Sequence, residues 1–165
     1  MDGELDPVVA LALTRLQVAH EVLACDPELA DTEVFCREYG FDLANSANTI
    51  VVTSKSGDQQ FAACVLLANC RLDVNKTVRK RLGVRRISFA TAEQTQSITG
   101  MTLGGVTALG LPDSVPVWVD AAVMDAPYII LGGGNRNSKL KISPQVFLHT
   151  ANTEIIPELA IAKTV

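Results

Sequence analysis

Apolar and polar residues alternate along this chain with two periods, one helical and one extended, and the changes between them outline its elements. Val9, Leu13, Leu16 and Leu23 recur at helical spacing behind Asp6 and Pro7, a capping residue and a first-turn proline. That pattern predicts a helix from Asp6 to about Ala24, ended by Asp26-Pro27. A short helix is predicted from Asp31 or Thr32 through Val34, Phe35 and Tyr39 to Gly40. The period then changes. Asn48-Thr-Ile-Val-Val-Thr53 is rich in β-branched residues, Lys55 to Asp58 carries turn residues, and Phe61 to Leu67 is apolar, which together predict a hairpin.

Asp73 is placed to cap a helix carrying Val74, Val78 and Leu82 and closed by Gly83. Arg85 to Phe89 reads as a short strand. Thr91 with Gln94 three residues on is a capping-box signal for a helix that ends near Gly100. Strands are predicted at Val115–Val119, Tyr128–Leu131 and Leu140–Ile142, a last helix from Pro144, and an edge strand at Glu154–Ile156. Hairpins interleaved with helices predict an α/β domain of the α+β type, with a mixed, mostly antiparallel sheet surrounded by helices.

Composition narrows the function classes. At 165 residues the chain suits one domain, 1–165, with 1–28 as an N-terminal helical segment. The apolar fraction is 48% but aromatics are only 5%, so the core is expected to be aliphatic. The net charge of −4 argues against DNA or broad nucleic-acid binding, which draws on a basic excess. Basic residues nevertheless cluster: Arg71, Lys76, Arg79, Lys80, Arg81, Arg85 and Arg86, then Arg136, Lys139 and Lys141. They read either as solvated faces or as a surface that meets phosphate. Cys25, Cys36, Cys64 and Cys70 form no metal-ligand spacing, so no metal site is expected. With no apolar signal core at MDGELDP and no membrane-length apolar run, a cytoplasmic protein without a membrane partner is expected.

Candidate chemistry lies mainly in two glycine loops, Gly104-Gly105 before Val106-Thr107, and Gly132-Gly133-Gly134 before Arg136. Such loops serve either as tight turns or as cradles of converging N–H groups for a phosphate or a polarised carbonyl. Neither fits a P-loop or a dinucleotide fingerprint. Phe35 and Tyr39 are candidates to wall a small pocket. His20 and His149 stand in no nucleophile–base motif, and Cys64 in its apolar strand reads as an inert hydrophobe.

In order, Thr49-Ile-Val-Val52, the hairpin return, Lys76 to Gly83, Arg85 to Ala90, Ala92 to Gly100, Gly104 to Thr107, Pro116 to Asp120, Gly132 to Arg136 and Leu140 to Ser143 resemble the YbaK/ProX family of aminoacyl-tRNA deacylases, over about 30–157. The resemblance implies hydrolysis, in trans, of the ester of mischarged aminoacyl-tRNA, with the amino acid in a pocket between sheet and glycine loops and the acceptor end on basic surface. It implies no metal and no cofactor.

Carried over by position, the catalytic candidates are Asn48, Thr49, Gly104, Gly105 and Thr107. The substrate-binding candidates are Phe35, Tyr39, Gly132, Gly133, Gly134 and Arg136. The chain departs from the family at two of its motif positions. The family's lysine before the strand threonine is here Asn48, and the proline after its Gly-Gly-Val-Ser/Thr loop is here Ala108. An acidic residue found after the later loop in some members falls near Lys139, so its role does not transfer. Asp120 matches an aspartate whose part is at least as much structural. The alternatives to a hydrolase are a non-catalytic module that binds a tRNA end or a nucleotide, and a scaffold with another small-molecule role.

Overall fold

The computed structural model describes residues 3–55 and 58–163. Its central sheet is built on the predicted hairpin. Strand β2 (Ala47–Ser54) pairs antiparallel with β3 (Phe61–Leu67) from Ala47–Leu67 to Thr53–Phe61. Two residues of the turn between them, Ser56 and Gly57, lie outside the described residues. β5 (Ile87–Phe89) adds antiparallel to the far edge of β2, while β6 (Val117–Asp120) and β9 (Thr153–Ile156) add in parallel beyond β3. The order is β5-β2-β3-β6-β9. β3 is central and buried on both faces, which explains why it lacks alternation. One face packs Ala63, Val65 and Leu67 against Val9, Leu13, Leu109 and Phe147, and the other packs Ala62, Cys64 and Leu66 against Val78, Leu82 and Leu159.

A second, antiparallel sheet has the order β1-β8-β7, from β1 (His20–Ala24), β8 (Ser138–Ile142) and β7 (Ile129–Gly132). A parallel bridge between Ser46 and Ile130 joins it to the start of β2. β4 (Cys70–Leu72) and β10 (Ala160–Ala162) form a small antiparallel pair.

The first predicted helix is too long. α1 spans Pro7–Leu16, with Asp6 Oδ1 accepting from Val8 N, and ends where Gln17 turns left-handed at φ 54°. Val9 and Leu13 are buried as their spacing predicts, but Leu23 belongs to β1, seven residues beyond Leu16 by coincidence of period. Pairing of His20–Ala24 with β8 overrides the weak local preference for helix, and so places His20 on a strand.

Between Asp73 and Gly83 the chain starts as a π-helix, Val74–Val78, in which Val78 N donates to Asp73 O, and continues as α3 (Arg79–Leu82). Asp73 does not cap a backbone N–H; its carboxylate accepts from Thr77 Oγ1 instead. α2 (Thr32–Tyr39) and α4 (Ala92–Thr99) fall where the pattern puts them. The segment after Pro144 is a single 3-10 turn, Pro144–Leu148, with His149 at its end and not on a helix. No helix among the described residues is long and apolar enough to cross a membrane.

At α4 the capping box is complete: Gln94 N donates to Thr91 Oγ1 and Thr91 N to Gln94 Oε1. Thr91→Ala is therefore expected to lower stability by about 1 kcal/mol. Urea unfolding checks this, with Thr91→Ser expected to stay near the parent.

Candidate active site

The site begins as a break in a sheet edge. The far edge of β2 is covered by β7 only at Ser46 and by β5 only at Val52–Ser54. Between them, no strand among the described residues flanks Asn48 to Ile50 on that side. Ser46 O accepts from Ala68 N and Ser54 N donates to Gln60 O, so the even-numbered residues face β3. Antiparallel alternation therefore turns the backbone groups of Thr49 toward the break.

A cavity of about 210 Å³ opens there. Its walls are Ser46 to Ile50 of β2, Ile130 to Gly132 of β7, Leu103, Gly104 and Val106 of the first glycine loop, Asp31, Thr32 and Phe35 at α2, and Lys139 of β8.

Polar atoms on this wall are left unused by the protein. Asn48 Oδ1 accepts from Thr32 Oγ1 at 2.5 Å, which orients the amide and leaves its NH2 without a partner among the described residues. Thr49 Oγ1 is fully buried and has no hydrogen-bond partner among the described residues. An orphaned buried hydroxyl is costly in a finished core and cheap at a site that receives a ligand.

The glycine loops meet backbone to backbone. Gly105 N donates to Thr102 O at 2.9 Å, and Gly134 N donates to Gly105 O at 2.6 Å. A Cβ on Gly105 would run into the Asn135 backbone, and one on Gly132 into the Gly105 carbonyl. Gly104, at φ 90°, and Gly132 line the cavity. Gly105, Gly133 and Gly134 do not, and the N–H groups of Gly105 and Gly134 are already used within the protein. Thr107 is also away from the wall, fully buried, with its Oγ1 unpartnered.

Of the aromatic pair, Phe35 lines the cavity and stacks on both Tyr39 and Phe41. Tyr39 lies outside it, where its hydroxyl accepts from Asp26 N at 2.9 Å. Arg136 is a bracket beside the cavity and not part of its wall. Its Nε donates to Pro27 O at 2.9 Å, and one terminal nitrogen donates to Leu103 O at 3.0 Å and to Asp31 Oδ1 at 3.1 Å.

Sequence reasoning missed Lys139, grouping it with the basic surface residues. It is 5% exposed, and its Nζ donates to Ala30 O at 2.6 Å and Gly104 O at 2.8 Å, 5.5 Å from the Phe35 ring centre. Burial pushes its ammonium below the usual lysine range. Alternation alone could not have found it: Leu140 and Ile142 face the main core, so Lys139 falls on the opposite face of β8, which only the packed α2 cluster around Phe35 and Ile130 covers. Asp31 and Thr32 had been read only as caps.

Elsewhere, Asp120 is buried and accepts from Ala160 N, a structural use. Burial pushes the Cys64 thiol up to about 12, so it is inert. Among the described residues no group of three metal-ligating side chains gathers. Arg71, Lys76, Arg79, Lys80, Arg81, Arg85 and Arg86 are exposed. Ile50, a wall residue, packs in the same cluster as Val78 and Leu82, so the basic helix adjoins the face of β2 that carries Asn48. A larger cavity, about 310 Å³ between α1 and the 108–117 segment, holds none of the site candidates.

The aminoacyl-tRNA editing domain profile matches residues 26–149, and the chain belongs to that family. The match covers every wall residue of the cavity. Among solved structures, a hypothetical protein superposes with a TM-score of 0.81 at 19% identity, over 93% of this chain and 99% of its own. A candidate trans-editing enzyme for prolyl-tRNA synthetase gives 0.73 at 19% identity, over 92% and 98%. A candidate signal-transduction protein from Marinobacter aquaeolei gives 0.63 at 19% identity, over 96% of this chain but 31% of its own. At such identities these three show the shared fold.

Gly105→Ala is expected to cost about 1–3 kcal/mol, because the new methyl must displace backbone. Thermal unfolding checks it; Gly83→Ala, where a Cβ meets nothing within 4 Å, is expected to lose less and only through its positive φ.

Proposed function

We propose that this protein hydrolyses, in trans, the ester that joins a small amino acid to the 3′ end of a mischarged tRNA. The observation that carries the reading is the cavity at the β2 edge, a space of about 210 Å³ lined by Asn48 and Thr49, each with a polar group the rest of the protein leaves unused. That volume is below the roughly 300 Å³ at which pockets for larger ligands begin. It suits an aminoacyl group and leaves the terminal adenosine at the mouth, with the acceptor strand on the exposed arginines and lysines of 71–86. Membership of a family described as an aminoacyl-tRNA editing domain supports the same substrate class. Such an activity belongs in the cytoplasm, where aminoacyl-tRNA is made and used.

In the reaction water adds to the ester carbonyl carbon, and the C=O π pair moves onto oxygen. The intermediate then collapses, breaking the bond to the ribose oxygen, which takes up a proton. The products are free amino acid and uncharged tRNA. A strong nucleophile is not required; an oriented water and donors for the oxyanion are. Asn48 offers N–H donors, Thr49 a hydroxyl and a backbone group toward the break, and Gly104 a main-chain N–H with no described acceptor. The Gly132–Gly134 loop supports Gly104 through the Gly134–Gly105 bond. Phe35 supplies the apolar floor against which a small side chain packs. Arg136, Tyr39 and Thr107 act by holding these walls.

A second reading, binding of the tRNA end without turnover, is favoured by one observation. Asn48 is neutral, so a hydrogen bond from its amide is about half as strong as a charge-assisted one from a lysine.

Deacylation of a panel of mischarged tRNAs separates the two. Hydrolysis of one or more small aminoacyl esters is expected, with Thr49→Ala and Asn48→Ala each lowering the rate by about 10²-fold. Absence of turnover above buffer across the whole panel, with tRNA still bound, would establish the second reading.

A further inference from the structure

Lys139 and Asp31 are the charged side chains of the cavity wall, and Asp31 is engaged by Arg136. The Lys139 ammonium is held by two neutral carbonyls, of Ala30 and Gly104, which orient it without cancelling its charge. It has three N–H bonds, and the third has no partner among the described residues. A side chain that served only to link Ala30 to Gly104 would need donors and no charge. A buried charge short of a counter-ion is costly, and an apolar residue beside Phe35 and Ile130 would avoid that cost. The cavity that Asn48 and Thr49 line is thus also lined by a positive charge with one free donor.

We propose that Lys139 is a catalytic residue of this cavity: its third N–H meets the carbonyl oxygen of the bound aminoacyl ester and carries the charge that develops there. The ligand's identity rests on the hydrolase reading above; the charge and the free donor do not. Asn48 then serves as the neutral partner donor, and the cation of the site comes from β8 and not from β2. A charged donor is about twice as strong as a neutral one, and the gain is largest when the oxygen becomes an oxyanion.

The test combines turnover with a probe that cannot turn over. Lys139→Met is expected to lower kcat by about 10²–10³-fold with KM changed little. Lys139→Gln keeps donors for the two carbonyls but removes the charge, and it is expected to be as impaired as Lys139→Met. Adding Asn48→Lys to Lys139→Met returns a cation to the same cavity and is expected to recover at least 10-fold. In parallel, 3′-alanylamino-3′-deoxyadenosine, an amide in place of the ester, is titrated into the full chain while the lysine ammonium resonances are followed by NMR. The signal absent from Lys139→Met is expected to shift. Full activity in Lys139→Gln, or analogue binding with the Lys139 signal unmoved, overturns the proposal and leaves the hydrolase reading standing. Absence of both wild-type turnover and analogue binding overturns the proposal and the hydrolase reading together.

Discussion

Two cations, Arg136 in the loop between β7 and β8 and Lys139 on β8 itself, tie the surroundings of the site together. Arg136 and Lys139 reach across to Pro27, Ala30 and Asp31 on one side and to Leu103 and Gly104 on the other, through five hydrogen bonds. They join three segments far apart in sequence, each of which contributes a residue to the cavity wall. Without them nothing in the described structure ties the loop before α2 directly to the first glycine loop by side chain. The glycines complete the arrangement: only with hydrogen at Gly105 and Gly132 do the two loops approach closely enough for the Gly134–Gly105 bond.

The same geometry explains why the cavity lies on β2. A strand paired along one edge and only at both ends of the other leaves a short window of backbone facing outward. Asn48 and Thr49 stand in that window because β7 pairs with this edge only at Ser46 and β5 only from Val52. Adjacent residues of one strand point to opposite faces. A site that uses both must therefore sit at an edge, where the two faces meet, and this one does.

Much of this was legible in the sequence, and the exceptions have physical causes. β-branched and apolar runs marked the β2–β3 hairpin, and Thr91 with Gln94 marked the start of α4, because those signals are local. The β1 strand was hidden because Leu23 continues the apparent period of α1, and only pairing with β8 reveals it. The glycine loops were recognised as special, but two uses of glycine were left open, and the structure shows both. Gly105 and Gly134 serve close packing, while Gly104 and Gly132 also face the cavity. Lys139 was grouped with surface charges because its burial comes from the α2 cluster packed on one face of β8. Likewise the orphaned Thr49 hydroxyl is a property of what fails to reach it, and no residue pattern records that.

Asn48 first stood out as a departure from the pattern of related chains. In the folded protein it is one of two neutral groups beside a buried ammonium, so its lack of charge does not leave the cavity without a cation. The most direct measurement is a structure of the full chain with 3′-alanylamino-3′-deoxyadenosine bound. The account predicts the alanyl group inside the β2-edge cavity, in contact with Asn48, Thr49 and Lys139, and the adenosine outside it. Density for the analogue in the groove beside α1, or an alanyl group pointing to solvent, would contradict it.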